Sequence, residues 1–306
     1  MFATGTMLLV ATLAAPGPVK PKKEAWIGVA VCCKPGVRET YRRKDDGTFE
    51  LQPFGFRYLD VRVVDEQGEY VALQHDSAIV WIKKEGVLRP QDAIDHFTAD
   101  LDKNPQNDHS LACRCWAFMA AGDYDRALLD AEEAVRLSPN SIAWKNNRGE
   151  VLIKKKEYEK AATEFSDILT TNPGFFFALF NRGEAYLRNK QFDKALADID
   201  LALQTEPSVP GLHMNQARVL ATAPDAKLRD GKRALSAALK AREMTKWRDG
   251  RTLDTLAAAY AETGDFDKAV EVQQQAFDDS DFMRDEGVGA RKRLKLYREK
   301  KPFRDE

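Results

Sequence analysis

The chain has 306 residues, with 47 basic against 48 acidic side chains and four cysteines. That balance excludes a whole-molecule field that would draw in nucleic acid or an anionic membrane. Four cysteines are too few for a disulfide scaffold, and neither the adjacent Cys32 and Cys33 nor Cys113 with Cys115 has the Cys-x-x-Cys spacing of a zinc site, so no metal or cofactor is expected. Residues 1–24 open the chain as a leader and linker. Met7 to Ala15 is apolar, Thr12-Leu13-Ala14 has the small residues of a cleavage site, and no Lys or Arg precedes the run. If residues 1–14 act as a signal peptide the protein is exported or periplasmic, and otherwise it is cytoplasmic. The run is too short to span a bilayer, and no integral membrane segment is expected elsewhere.

Residues 25–89 change character. Short β-branched or aromatic runs, Trp26 to Cys33, Phe56 to Val64, Tyr70 to Gln74 and Ala78 to Ile82, alternate with the turn residues Pro35-Gly36, Asp45-Asp46-Gly47, Pro53 with Gly55, and Glu66-Gln67-Gly68. Five short strands in so small a segment predict a small β-barrel. Ile79-Val80-Trp81-Ile82 leading into Val87-Leu88 resembles the closing strand and turn of an SH3-like domain, a resemblance that implies peptide or cell-wall binding or a structural cap.

Residues 90–306 are helical by periodicity. Pro90 is placed to begin a helix, and Ala93, Ile94, Phe97 and Leu101 follow at helical spacing. Asn147-Arg148-Gly149-Glu150 recurs 34 positions later as Asn181-Arg182-Gly183-Glu184, and Pro105, Pro139, Pro173 and Pro207 keep the same interval. Such a period marks a solenoid of helical hairpins. A half repeat at 90–107 supplies one helix, and full units follow at 108–141, 142–175, 176–209, 210–249 and 250–283. The fourth departs from the pattern through a longer loop from Thr222 to Asp230. Gly289 to Lys300 predicts a capping helix, with Leu294 and Tyr297 inward and the basic run Arg291-Lys292-Arg293 on a solvated face. A solenoid end needs its apolar face covered, so the barrel is expected to pack on the lone helix of the half repeat.

The units resemble the tetratricopeptide repeat. Position eight is small (Cys115, Gly149, Gly183), position eleven is large (Phe118, Leu152, Tyr186), position twenty is alanine and position thirty-two is proline. The fourth-to-fifth stretch is similar to a C-terminal arrangement in bacterial proteins of this family. The resemblance implies a mainly α fold, a helical-hairpin solenoid of about five repeats after the small SH3-like barrel, and a concave groove lined by the first helices. It implies a protein or peptide partner held there without catalysis. The family's groove positions fall on Asn147, Asn181 and Asn215, whose amides both donate and accept and so suit the main chain of an extended peptide. Phe177, Phe180 and Trp116, with Met119 and Met214, fall there too, and an exposed apolar patch of this kind marks a binding site. Glu150, Glu184, Lys154 and Arg188 would form the rim.

The family's carboxylate clamp for chaperone tails does not transfer, because its positions hold Ala112, Trp116, Asn146 and Glu150. No catalytic set is expected either. His75-Asp76-Ser77 is contiguous, whereas a triad is assembled in space, and Gly287-Val288-Gly289 follows no strand. The partner therefore sits in the groove of the repeats, or alternatively on the barrel at the cell envelope with the repeats as a spacer. An enzyme or regulatory subunit is the minor alternative.

Overall fold

A computed structural model of the chain describes residues 30–33, 39–44, 46–53, 61–75, 78–245 and 249–305. The expected leader, the strand start at Trp26, the segment 54–60 and the residues Asp76 and Ser77 lie outside the described residues.

The described residues of the N-terminal part form seven strands: β1 (Ala30–Cys33), β2 (Glu39–Arg43), β3 (Phe49–Pro53), β4 (Val61–Gln67), β5 (Tyr70–His75), β6 (Ala78–Lys83) and β7 (Val87–Leu88). They form one antiparallel sheet in the order β3-β2-β6-β5-β4-β1-β7. Alternation sorts its side chains onto two faces. Leu73 lies opposite Val80 and Val71 opposite Ile82. These residues join Val31, Val63 and Val87 in an aliphatic core. The other face is aromatic: Phe49 stacks on Tyr70 at 4.0 Å and meets Trp81 edge-on at 5.1 Å. The expected closed barrel is not formed by the described strands, because the edge strands β3 and β7 do not pair. The physical reason is the length of β7. It spans two residues before Arg89 and the helix-starting Pro90, so it cannot extend along a partner to close the sheet.

Twelve helices follow among the described residues: α1 (Pro90–Lys103), α2 (Asp108–Ala120), α3 (Tyr124–Leu137), α4 (Ile142–Lys154), α5 (Tyr158–Thr171), α6 (Phe176–Arg188), α7 (Phe192–Thr205), α8 (Pro210–Thr222), α9 (Gly231–Thr245), α10 (Gly250–Glu262), α11 (Phe266–Gln275) and α12 (Ser280–Arg298). Their starts follow from the sequence. Asn107, Asp123, Ser141, Asp249 and Asp265 each accept a backbone N–H two or three residues on, satisfying donors that a helix end leaves orphaned. The lone helix α1 shares one core with the first hairpin, in which Leu88 of β7, Phe97, Cys115, Trp116 and Phe118 pack together.

The hairpin turns are built alike. At position fifteen of four units, Gly122, Lys156, Lys190 and Gly264 adopt φ values of 81°, 64°, 58° and 85°. In each, the next residue's N–H reaches back five positions, as Glu157 N does to Leu152 O at 2.9 Å, which closes the first helix in a Schellman turn. Glycine occupies that backbone without penalty, whereas a side chain costs about 1 kcal/mol. We expect Lys156→Gly to raise stability by about 0.5–1 kcal/mol after the glycine's own entropy is deducted. The measurement is the urea midpoint at unchanged slope, and a lower midpoint would refute the strain.

A second regularity ties first helices to second ones. Arg114 donates to both carboxylate oxygens of Asp130 at 2.8 Å, and Arg182 to both of Asp198 at 2.7 Å. Arg148 binds Glu164 in the same way at 2.8 and 3.2 Å. The third nitrogen of the fork reaches the preceding unit, Arg114 to Thr98 at 3.2 Å and Arg182 to Ser166 at 3.0 Å. A planar guanidinium with donors on two sides therefore pins the angle between consecutive hairpins.

Candidate binding face of the repeats

The first helices α2, α4, α6, α8 and α10 lie next to one another in succession, so they form one continuous face. The sequence-nominated residues divide on it by depth. Phe177 is 57% exposed, the largest exposure of any phenylalanine described. Its ring stands 5.3 Å from Phe176 and 5.8 Å from Phe175, and Phe176 in turn lies 6.0 Å from Phe180. Phe180 is half-buried and covers Gly211 at the start of α8, where a Cβ would lie 3.3 Å from its ring. Leu179 turns to the core. A helix start thus carries four aromatic rings, and the small Gly211 opposite gives one of them room.

Trp116 departs from the expectation. It is 5% exposed and packs with Ile94, Phe97 and Phe118, so it is a core residue and offers no ring to a ligand. The reason is the N-terminal sheet: β1 contacts α2, and Leu88 of β7 shares the cluster that holds Trp116. Met119 is half-buried on the same helix, and Met214 accepts a long contact from Thr252 Oγ1 at 3.8 Å.

The three asparagines are not equivalent. Asn147 is half-buried, while Asn181 and Asn215 are 9% and 8% exposed. Asn181 Nδ2 donates to Asn146 Oδ1 at 3.2 Å and to Glu150 Oε1 at 3.0 Å, and Asn146 Nδ2 donates to the same Glu150 oxygen at 2.7 Å. An amide nitrogen has two protons, so both of those on Asn181 are committed inside the protein. Only its carbonyl is left to take a peptide N–H. Asn146, absent from the expected set, is the member of this node that the sequence reading passed over. Its position-five place, one residue before Asn147, is the signal that points to it. Glu150, expected at the rim, is accordingly an internal acceptor. Glu184 accepts from Arg188 Nε at 2.9 Å across one helical turn, and Lys154 is exposed.

The cysteines on α2 are inert. Burial pushes the thiols of Cys113 and Cys115 up to about 12, which leaves them protonated and unreactive at neutral pH. No helix among the described residues is long and apolar enough to cross a membrane.

Residues 115–175, 176–209 and 250–278 match models of the tetratricopeptide repeat. These segments carry the tetratricopeptide-repeat pattern, and proteins of that family are generally interaction scaffolds. Solved structures agree on the fold. The anaphase-promoting-complex hetero-tetramer Cut9–Hcn1 aligns at TM-score 0.58 with 11% identity, over 68% of this chain and 39% of that one. PilW, a type IV pilus biogenesis factor, aligns at 0.54 with 18% identity over 64% of this chain and 86% of its own. Yeast Tom70 aligns at 0.51 with 20% identity over 67% of this chain and 42% of its own. At these identities the likeness is one of fold alone. No curated protein matches the chain.

Proposed function

We propose that the protein is a non-catalytic interaction scaffold that binds an extended peptide segment along the concave first-helix face of its second to fourth repeats. The observation that carries this reading is Phe177, 57% exposed at the centre of a cluster of four phenylalanines, since an exposed aromatic anchor beside half-buried ones is the pattern of a binding hot spot. Phe177 and Phe180 receive apolar side chains. The Asn181 carbonyl and the half-buried Asn147 take main-chain groups, with Asn215 at the floor. Glu184 with Arg188 gives the rim both charge signs, which favours a mixed rather than an acidic or basic segment.

The test is a peptide array probed with the intact chain and with Phe177→Ala. Peptides retained by the intact chain should lose about tenfold or more in affinity, as hot-spot truncations do, with unchanged circular dichroism. Equal retention by the variant discards the patch.

A second reading rests on a different observation. Tyr41, Phe49 and Tyr70 are half-buried on the aromatic face of the sheet, and Lys83 lies 5.7 Å from the Tyr41 ring. That face fits a ligand taken by the N-terminal domain, with the repeats as a spacer. Array binding lost in Phe49→Ala and kept in Phe177→Ala would favour it.

A further inference from the structure

The C-terminal residues do not leave the molecule when α12 ends. Lys300 takes φ 56°, its N–H reaches Tyr297 O at 3.0 Å, and Lys301 N reaches Leu296 O at 2.9 Å, the same Schellman turn that ends the first helices. Pro302 then prevents the helix from resuming. The chain turns back and lays Phe303, Arg304 and Asp305 across the ends of α8 and α10.

Each of the three is recognised. The Phe303 ring packs on the core of the last two repeats and lies 5.5 Å from the Arg293 guanidinium. Arg304 Nη1 stands 2.7 Å from Glu262 Oε2 and donates to Ala221 O at 3.3 Å. The Asp305 amide donates to Thr222 O at 2.9 Å, and its carboxylate accepts from Arg218 Nη2 at 2.7 Å. Arg218, Ala221 and Thr222 are positions nine, twelve and thirteen of the fourth unit, and Glu262 is position thirteen of the fifth. All four lie on the first helices α8 and α10. Two of the partners are carbonyls of the last turn of α8, which a helix leaves without an internal donor. A short extended segment thus supplies what this end of the face lacks.

We propose that the first-helix face of the fourth and fifth repeats is a recognition site for a short segment of aromatic–arginine–acid pattern, and that residues 303–305 occupy it in cis until a segment of the same chemistry displaces them. It extends the peptide-binding reading to a second place on the same face without depending on it. Displacement is within reach because the outermost contacts are peripheral, while Arg304 and Glu262 keep 25% and 14% of their side-chain surface in water. Arg218 keeps 48% of its side-chain surface in water, and Phe303 is only half-buried. An exposed ion pair such as Arg218–Asp305 contributes little, and the short tether supplies proximity in its place.

The test uses a labelled peptide with the sequence of residues 299–306, titrated by fluorescence anisotropy against the full chain and against Arg304→Glu, in which like charges at Glu262 release the tail. The released variant should bind the peptide at least about tenfold more tightly than the unaltered chain, because the effective concentration of a short tether is lost. Adding Glu262→Gln should remove the gain. Equal binding by the two chains, or a gain that survives Glu262→Gln, overturns the proposal. A second measurement needs no variant. The Asp305 amide should exchange its hydrogen well before that of the buried Leu256, and faster still at saturating peptide. Exchange in step with Leu256, with or without peptide, would make the tail a permanent cap and sink the idea. Phe177→Ala should leave both readouts unchanged, so this site and the one on the third repeat stand or fall separately.

Discussion

Gly149→Ala is expected to destabilise the protein by about 1–3 kcal/mol, the usual cost of an overpacked core. The same substitution at Gly183 is expected to be neutral or to stabilise by up to about 1 kcal/mol, the gain in helix propensity over glycine. Both glycines stand at position eight of a repeat, and a consensus argument treats them alike. The difference lies across the hairpin. A Cβ on Gly149 would fall 2.4 Å from Cζ of Phe165 and 2.6 Å from its Cε1, and Phe165 is fully buried. A Cβ on Gly183 would meet Ile199 and Asp198 at 3.5 Å, ordinary van der Waals contact. The ring of Phe165 has filled the space a methyl would take, whereas Ile199 at the equivalent place leaves it open. Urea unfolding of both single variants measures the contrast. Gly149→Ala combined with Phe165→Ile should recover most of the loss, a coupling that independent sites would not give. Equal effects at 149 and 183 would mean that the helix crossing, and not the facing side chain, sets the limit.

Position eight also marks how far the sequence could be read. The 34-residue interval placed the helices and hairpin turns because each unit repeats the same packing problem, and the solution recurs with it. The turn residues Gly122 and Gly264 were legible as glycines, but Lys156 and Lys190 adopt the same left-handed backbone without any compositional sign. The arginine forks were legible and overlooked: Arg114, Arg148 and Arg182 each precede an acid by 16 residues, a spacing that crosses a hairpin. Long-range closure was not legible. Alternation in residues 25–89 predicts strands but carries no information on which edges meet, and the two-residue β7 leaves the sheet of described strands open. Trp116 departs from its groove position because such positions assume a repeat on either side, and here the N-terminal sheet adds Leu88 and β1 beside α2. In the candidate site, exposure of Phe177 followed from crowding at one helix start. The commitment of Asn181 to Glu150 did not, since it depends on a side-chain geometry between two units. The basic C-terminal run is largely exposed as expected, except Arg293, which turns inward.

Arg293→Met is expected to be the most destabilising change at the C-terminal end, on the order of 3 kcal/mol, because it strands a carboxylate that burial has already disfavoured. Arg293 Nε donates to Asp254 Oδ1 at 2.8 Å, and Gln273 Nε2 donates to the same oxygen at 2.8 Å. Burial pushes the Asp254 carboxyl above its ordinary value, while Arg293 and Gln273 pull it back without cancelling the shift. A carboxyl raised in the folded state binds its proton more readily there than in the unfolded chain. Its contribution therefore falls as pH rises from the unfolded value through the folded one, the reverse of an ordinary salt-bridged acid. Without Arg293 the folded value moves further up and the window widens. The deficit of Arg293→Met relative to the unaltered chain should then shrink as the pH is lowered into that window, where a protonated Asp254 needs no counter-ion. Arg293→Met with Asp254→Asn should be more stable than Arg293→Met alone at pH 7 and should show no such recovery. Urea midpoints of the three chains across the acid range decide it. A deficit that is constant with pH would assign the role of Arg293 to the packing of its side chain and not to its charge. The distinction matters because the same guanidinium faces both ways: toward Asp254 it holds α12 on the last repeat, and toward Phe303 it holds the returning tail.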